Sequence, residues 1–465
     1  MEEIKKMKEE LFYEKENANL KFSGELLEKA KKYCEGYKEF LNECKTERKA
    51  CAYAERMAKE KGFEAFTKGK KYRPGDRVYY VNREKNIVLV VFGENPIEKG
   101  IKLAVAHIDS PRLDLKPNPI FEEDEIAYFK THYYGGIKKY HWPTIPLALH
   151  GVVFKSNGEK VEISIGEDEK DPVFCISDLL PHLAENQYKK NAREFIEGEE
   201  LNLLIGSKPL KKGEKGDLVK LNILKILNEK YGIKERDFLS AELEVVPAFK
   251  AKDVGLDGTL IGSYGQDDRV CGYNALMAVL DCNSTPSYTA VTMLADKEEI
   301  GSCGNTGMDS NFFEYFIYEL GEAFGVSGHT ILSNSECMST DVAAAFDSKY
   351  ADAFEANNIA HLGYGTVIVK YTGRAGKAMA SDASAEFTNK VTRLLDKEEI
   401  SWQMGELGKI DLGGGGTVAM FVAKLNIDVI DVGVALLSMH SPYEISSKVD
   451  VYENYRAIHA FLTQK

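Results

Sequence analysis

The 465-residue sequence is poor in several things that would have named a class at once. No apolar run approaches the roughly 20 residues that span a bilayer, so no membrane helix is expected. The opening Met1-Glu2-Glu3-Ile4-Lys5-Lys6 is charged and lacks an apolar core, so no secretory signal is expected. Basic residues are outnumbered, 60 to 73, giving a net charge of −13; a global preference for nucleic acid or an anionic membrane is not expected. The eight cysteines, at 34, 44, 51, 175, 271, 282, 303 and 337, form no CxxC pair, which excludes a zinc ribbon or a thioredoxin-type site. They read as reduced thiols of a cytoplasmic protein, each a small buried hydrophobe. Internal repeats and low-complexity tracts are missing as well.

What is present is the composition of a folded chain, with 44% hydrophobic and 29% charged residues. The length fits two or three domains. The first 60 residues are helical in pattern: Leu26, Leu27, Ala30, Cys34 and Tyr37 recur at spacings of three and four. The runs 87–92 and 101–106 read as strands apolar enough to be buried on both faces, as in a mostly parallel sheet. The second half alternates. Helices are expected at 270–280, 312–324, 383–395, 417–425 and 449–462, and strands at 288–294, 330–332, 366–371 and 427–436. The fold class is therefore α/β, a mixed, mostly parallel sheet flanked by helices. The stretch 119–245 breaks the rhythm with strand-like pieces at 126–132, 147–154 and 161–165 and a Lys/Gly-rich loop at 208–217. It reads as an inserted β-rich domain, leaving 1–118 and 246–465 as the other domain.

The chemistry-bearing residues gather where open α/β sheets hold ligands, just after predicted strands. His107-Ile108-Asp109 follows 101–106, and Asp109 is placed to orient the imidazole. Gly265-Gln266-Asp267-Asp268-Arg269 precedes a helix. An N-cap accounts for one carboxylate and leaves the second Asp and the Arg free. Asp296-Lys297-Glu298-Glu299 follows 288–294, where adjacent carboxylates are costly unless paired or bound to a cation. One of such a pair can bind metal while the other serves as general base. Asp341 and His440 follow 330–332 and 427–436; a cap is the alternative for Asp341. Two imidazoles with several carboxylates and no thiolate suit Zn²⁺, Co²⁺ or Mn²⁺.

Five segments in this order resemble the aspartyl aminopeptidase family of dinuclear metallopeptidases. They include His107-Ile108-Asp109-Ser110-Pro111, Asp296 to Gly301 and Ser438-Met439-His440-Ser441, with Tyr134-Gly135-Gly136 in the insertion. The resemblance implies a first divalent ion, most often zinc, on His107, Asp267 and Asp341. It implies a second ion on Glu299 and His440, with Asp267 bridging. Glu298 would be the general base and Asp109 would orient His107. It implies peptide substrates cut after their N-terminal residue, Asp or Glu, and a homo-oligomer (a dodecamer) dimerising through the insertion. Three departures from that pattern stand out. Asp267-Asp268-Arg269 replaces a Leu-Asp-Asn-type segment, 344–347 lacks histidines, and Tyr140, with His141 beside it, falls where a substrate-contacting His is expected. His141 is accordingly the candidate substrate contact. The competing readings are an amidohydrolase on small N-acyl amino acids and a non-catalytic scaffold of the same fold.

Overall fold

The computed structural model describes residues 2–13, 15–211 and 216–464. A nine-stranded sheet carries the larger part of the chain. At its centre Thr289–Ala295, Ile101–His107, Glu336–Ser339 and Asp428–Gly433 lie side by side, all parallel. Arg77–Asn82 and Asn86–Val91 extend one edge antiparallel, and Thr366–Val369 and Trp402–Met404 extend the other.

The central strands are buried on both faces because their side chains alternate between two apolar layers. Along Ile101–His107, Ala104 and Ala106 face the layer formed with helices Gly24–Glu43, Glu47–Glu60, Gln266–Leu280 and Lys448–Thr463. Leu103 and Val105 face the opposite layer, with Phe312–Phe324 and Ala419–Ala423. The alanines let Gln266–Leu280 sit close against the strand, which matters because Asp267 begins that helix. Ser23 and Thr46 cap the first long helices, each hydroxyl accepting a backbone N–H. The expected stripe of the first helix forms: Ala30, Cys34 and Tyr37 are buried, Leu26 and Leu27 half-buried.

A second, wholly antiparallel sheet orders the strands Lys160–Ile165, Leu147–Phe154, Ala241–Pro247, Arg112–Glu123, Ile126–Tyr134 and Leu203–Gly206 around its own core. It runs from Arg112 to Pro247 and also carries the helix Leu218–Tyr231. The Lys/Gly-rich loop expected at 208–217 lies partly outside the described residues, at 212–215. A small separate sheet of Lys252–Val254, Leu260–Ser263 and Glu444–Ser447 brings the chain before Asp267 beside the chain after His440.

Two expectations need correction. Residues 330–332 are not a strand but part of the helix Gly328–Ser333. Three apolar residues carry no periodicity that separates a strand from a helical turn. The strand that leads to Asp341 is Glu336–Ser339, whose polar first residue is held by Lys102 and Lys390. Cysteine burial holds for six of the eight; Cys175 is half-buried and Cys303 is exposed on the loop after Glu299. Among the described residues no helix is long and apolar enough to cross a membrane.

Candidate active site

The C-terminal ends of the four parallel strands converge on one point. Ile101–His107 ends in His107 itself; Thr289–Ala295 leads into Glu298 and Glu299; Glu336–Ser339 leads to Asp341; Asp428–Gly433 carries Asp431. Asp267 enters from the start of the helix Gln266–Leu280, and its peptide bond to Asp268 is cis. His440 enters from the loop after Ala435–Leu436, in the left-handed region at φ 64°. Two glycines permit the close approach. A Cβ on Gly433 would stand 1.6 Å from the Asp341 carbonyl oxygen, and one on Gly136 would stand 3.3 Å from His440 Nδ1.

The cap alternatives do not apply. Neither Asp267 nor Asp268 has helical dihedrals, and the Asp268 carboxylate accepts no backbone N–H from the helix that follows it; Asp341 is followed by the strand Ala343–Ala344 rather than a helix. Arg269 is also not free. Its guanidinium donates to the Lys45 carbonyl at 2.8 Å, stands over the Tyr264 ring and forms no ion pair with the carboxylates among the described residues.

Asp109 is completely buried and gathers four donors. Its Oδ1 accepts from His107 Nδ1 at 3.2 Å and from the Glu298 backbone N–H at 3.1 Å. Its Oδ2 accepts from the Tyr134 hydroxyl at 2.8 Å and from the Glu299 N–H at 3.2 Å. One carboxylate thus fixes a histidine and the backbone of both adjacent glutamates. Burial opposes its charge, but His107 and Tyr134 hold its pKa below the ordinary value. Glu444 plays a comparable part across the site and was missed in the sequence. Its two oxygens accept the His440 N–H at 2.7 Å and the Asp267 N–H at 3.1 Å.

The imidazoles decide what the cluster can hold. His107 Nδ1 faces two acceptors, the Asp109 carboxylate and the Asp109 carbonyl at 3.1 Å, so Nδ1 carries the proton. Its Nε2 then points at Asp267 Oδ1 (3.2 Å), Asp341 Oδ1 (3.7 Å) and Glu298 Oε2 (3.9 Å). His440 repeats the pattern. Nδ1 donates to the Gly136 carbonyl at 2.8 Å, and Nε2 faces Asp267 Oδ2 (3.1 Å) and Glu299 Oε2 (3.4 Å). Asp267 spans the two imidazoles, one oxygen to each. Neutral imidazoles would aim lone pairs at carboxylate oxygens, an arrangement that needs a cation between them.

The surrounding charges agree. Burial, and then the charge of Asp267, pushes the Glu299 carboxyl well above its ordinary range, and one Glu299 oxygen has no hydrogen-bond partner. Burial pushes Glu298 up to about 8 and raises Asp341 as well. Against burial, the negative charge of Asp267 and Glu299 favours a positive charge at His440 Nε2, pushing its pKa up to about 11; a metal ion bound there would supply that charge in place of the proton. Donor atoms of His107, Asp267 and Glu299 lie within 4.8 Å of one another, as do those of His107, Asp268 and Asp341. Oxygen and imidazole donors in this number, with unpartnered buried oxygens, fit divalent metal. Asp268 belongs to this shell although no role was expected for it; both its oxygens are buried without a partner.

A cavity of about 790 Å³ opens on Asp267, Glu298, Glu299, Asp341 and His440. His141 is not in it. It lines a neighbouring cavity of about 890 Å³ that shares Gly136, Met439 and His440 with the first, and its Nδ1 there is buried without a partner. Asp431 lines the metal-side cavity; burial pushes it up to about 7, the Ser339 hydroxyl beside it works against this, and the charge of Asp341 adds to it.

The family model described as aminopeptidase I zinc metalloprotease (M18) matches residues 40–462. A probable M18 family aminopeptidase 1 from Borrelia garinii is 49% identical over 454 residues, 96% of this chain and 99% of its own. The solved structure of an M18-family aminopeptidase from Thermotoga maritima superposes with a TM-score of 0.93 at 45% identity, covering 98% of this chain and 100% of that one. The dodecamer of mApe1 from S. cerevisiae shares the fold, with a TM-score of 0.75 at 19% identity over 94% of this chain and 96% of that one.

Proposed function

The chain belongs to the M18 family of zinc metallo-aminopeptidases, and from that premise we propose a division of labour among its own residues. His107, Asp267 and Asp341 would hold one divalent ion, zinc first and cobalt or manganese as alternatives. Glu299 and His440 would hold a second, with Asp267 shared. When bound, such ions supply Lewis acidity, which readies water for attack near neutral pH and offsets negative charge on a peptide carbonyl oxygen. Glu298 borders the same cavity and stands farther from His107 than Asp267 does, which suits it to carry protons rather than metal. It takes a proton from water and returns it to the departing amine. Asp109 holds His107 in the tautomer that frees Nε2, and Glu444 holds the backbones of Asp267 and His440.

The observation that carries this reading is the paired imidazoles, each with Nδ1 committed to an acceptor and Nε2 turned toward the oxygens of Asp267. His141, in the adjoining cavity, is proposed to touch the peptide beyond the cut bond. The acidic first residue implied by the resemblance would find Arg374 as the cation lining the metal-side cavity among the described residues, and Arg374 is exposed.

We also propose a closed homo-oligomer in the cytoplasm, with the second sheet as the dimer contact. Its segment 173–188 exposes Val173, Leu179, Leu180, Leu183 and Tyr188, an apolar group of the kind that contacts a partner. The discriminating experiment offers the zinc-loaded protein a tripeptide with a free N-terminus, its N-acetylated form and N-acetyl amino acids, each with and without chelator. Cleavage of the free tripeptide alone, abolished by chelation, is the expected result. Turnover of the N-acetyl amino acids would instead favour an amidohydrolase, and no turnover at all would favour a scaffold.

A further inference from the structure

The metal-side cavity holds two carboxylates that the hydrolysis does not use, Asp431 and Glu406. Asp431 sits in the strand Asp428–Gly433, in register with Ser339 on one side and Val369 on the other. It is 2% exposed, yet it lines the cavity. The Thr417 hydroxyl donates to its Oδ2 at 3.1 Å. Its Oδ1 is buried and makes no hydrogen bond of full geometry; the donor beside it is the neutral Ser339 hydroxyl, itself without another partner, and no cation pairs with it among the described residues. Small and apolar residues line part of the same cavity: Val369, in register with Asp431, Ala343, Ala344, Met420 and the run Gly414-Gly415-Gly416. Glu406 is the other carboxylate, its charge met by the Tyr371 hydroxyl. Arg374 lines the same cavity and is exposed, and it forms no ion pair with Asp431 among the described residues.

We infer that Asp431 is a specificity residue that receives the cationic side chain of a basic first residue, Lys or Arg. This rests on the aminopeptidase reading above. A buried carboxylate oxygen without a full hydrogen bond is costly, and a charged N–H that reaches it relieves that cost while fixing the ligand. A site built to pair with a charge discriminates against an isostere that lacks it far more than an apolar slot discriminates by size. The cavity, of about 790 Å³, has the volume for such a side chain, and the apolar part of its lining would accommodate the methylenes of Lys or Arg while the head group meets the carboxylate. A Glu or Asp side chain entering the same space would meet the like charges of Asp431 and Glu406.

The test compares Lys-Ala-Ala with norleucine-Ala-Ala, which has the same length without the charge, and with Glu-Ala-Ala. The full-length zinc-loaded protein is used, with Asp431→Asn and Asp431→Ser beside it. Wild-type kcat/KM should be about tenfold or more higher for Lys than for norleucine, and Glu should be the poorest of the three. In both variants the Lys-to-norleucine ratio should fall toward one. Calorimetric titration with free L-lysine and L-norleucine should show the same preference in wild type and its loss in the variants. The inference is overturned if wild type cleaves the Glu peptide fastest or treats Lys and norleucine alike. It is also overturned if the variants lose both peptides equally, which would place Asp431 at the α-amino group or in the scaffold. Failure to cleave any of the three by wild type would instead bring down the aminopeptidase reading, and this inference with it.

Discussion

Replacing Asp109 by Asn changes one atom and should damage the whole site. The carboxylate serves two pairs of donors, His107 with the Glu298 N–H on one oxygen and the Tyr134 hydroxyl with the Glu299 N–H on the other. A carboxamide can accept with one oxygen only. Whichever way it is turned, its NH₂ faces two donors. Two hydrogen bonds to a charged acceptor are lost, at about 1.5–3 kcal/mol each, so a total near 3–6 kcal/mol is expected. Tyr134→Phe removes only one of the four and should cost about 1–3 kcal/mol on the same reasoning. Because His107 and both glutamates are held through this group, zinc affinity of Asp109→Asn should fall about 10–100-fold. Urea unfolding of the metal-free protein and competition titration with a chelating dye measure the two effects separately. Wild-type stability and wild-type zinc affinity in Asp109→Asn would refute the idea that this carboxylate organises the site.

Glu167 gives a pH-dependent prediction away from the metals. It joins Lys45 (2.9 Å), His150 (2.9 Å) and Lys250 (2.9 Å), which come from different parts of the chain. Despite burial, His150 and the two lysines hold its pKa down to about 2. A depressed carboxylate adds stability above its unfolded value and loses it as the pH falls through the folded one. Wild type should therefore lose more stability than Glu167→Gln between pH 6 and pH 3, and equal shifts in the urea midpoint would contradict the assignment. Light scattering of the full-length protein should give a mass many times the 52.0 kDa of one chain. Monomer alone at working concentrations would remove the proposed assembly.

The parallel centre of the fold was legible because burial on both faces writes itself as largely apolar runs, at 101–106 broken by Lys102 and at 288–294 by two threonines. Residues just beyond such runs are strand ends, and that placed His107, Glu298 and Glu299. The strand Glu336–Ser339 was not legible, because its first residue is a half-buried glutamate held by Lys102 and Lys390, both distant in sequence. Arg112–Glu123 was hidden by Pro117 and Pro119, which sit where its register shifts between Leu115 and Ile120. Glu444 lies four residues after His440 and could have been suspected. Its hold on Asp267, however, exists only because Glu444–Ser447 pairs with Leu260–Ser263. Asp431 looks like any polar residue between Ile430 and Val432 until the cavity in front of it is seen. His141 shows the converse: motif context placed it beside the chemistry, and the fold puts it in the adjoining cavity.

The central claim is that the two adjacent glutamates do different work, and one paired measurement addresses it. Metal content by elemental analysis is read beside tripeptide turnover in Glu298→Gln and Glu299→Gln, with and without added zinc. Glu298→Gln should retain its metal while turnover falls about 10²-fold or more, the usual contribution of a positioned base. Glu299→Gln should lose metal first and activity as a consequence, and excess zinc should partly restore it while leaving Glu298→Gln unrescued. Loss of metal from Glu298→Gln together with full occupancy in Glu299→Gln would contradict the account and reverse the two roles.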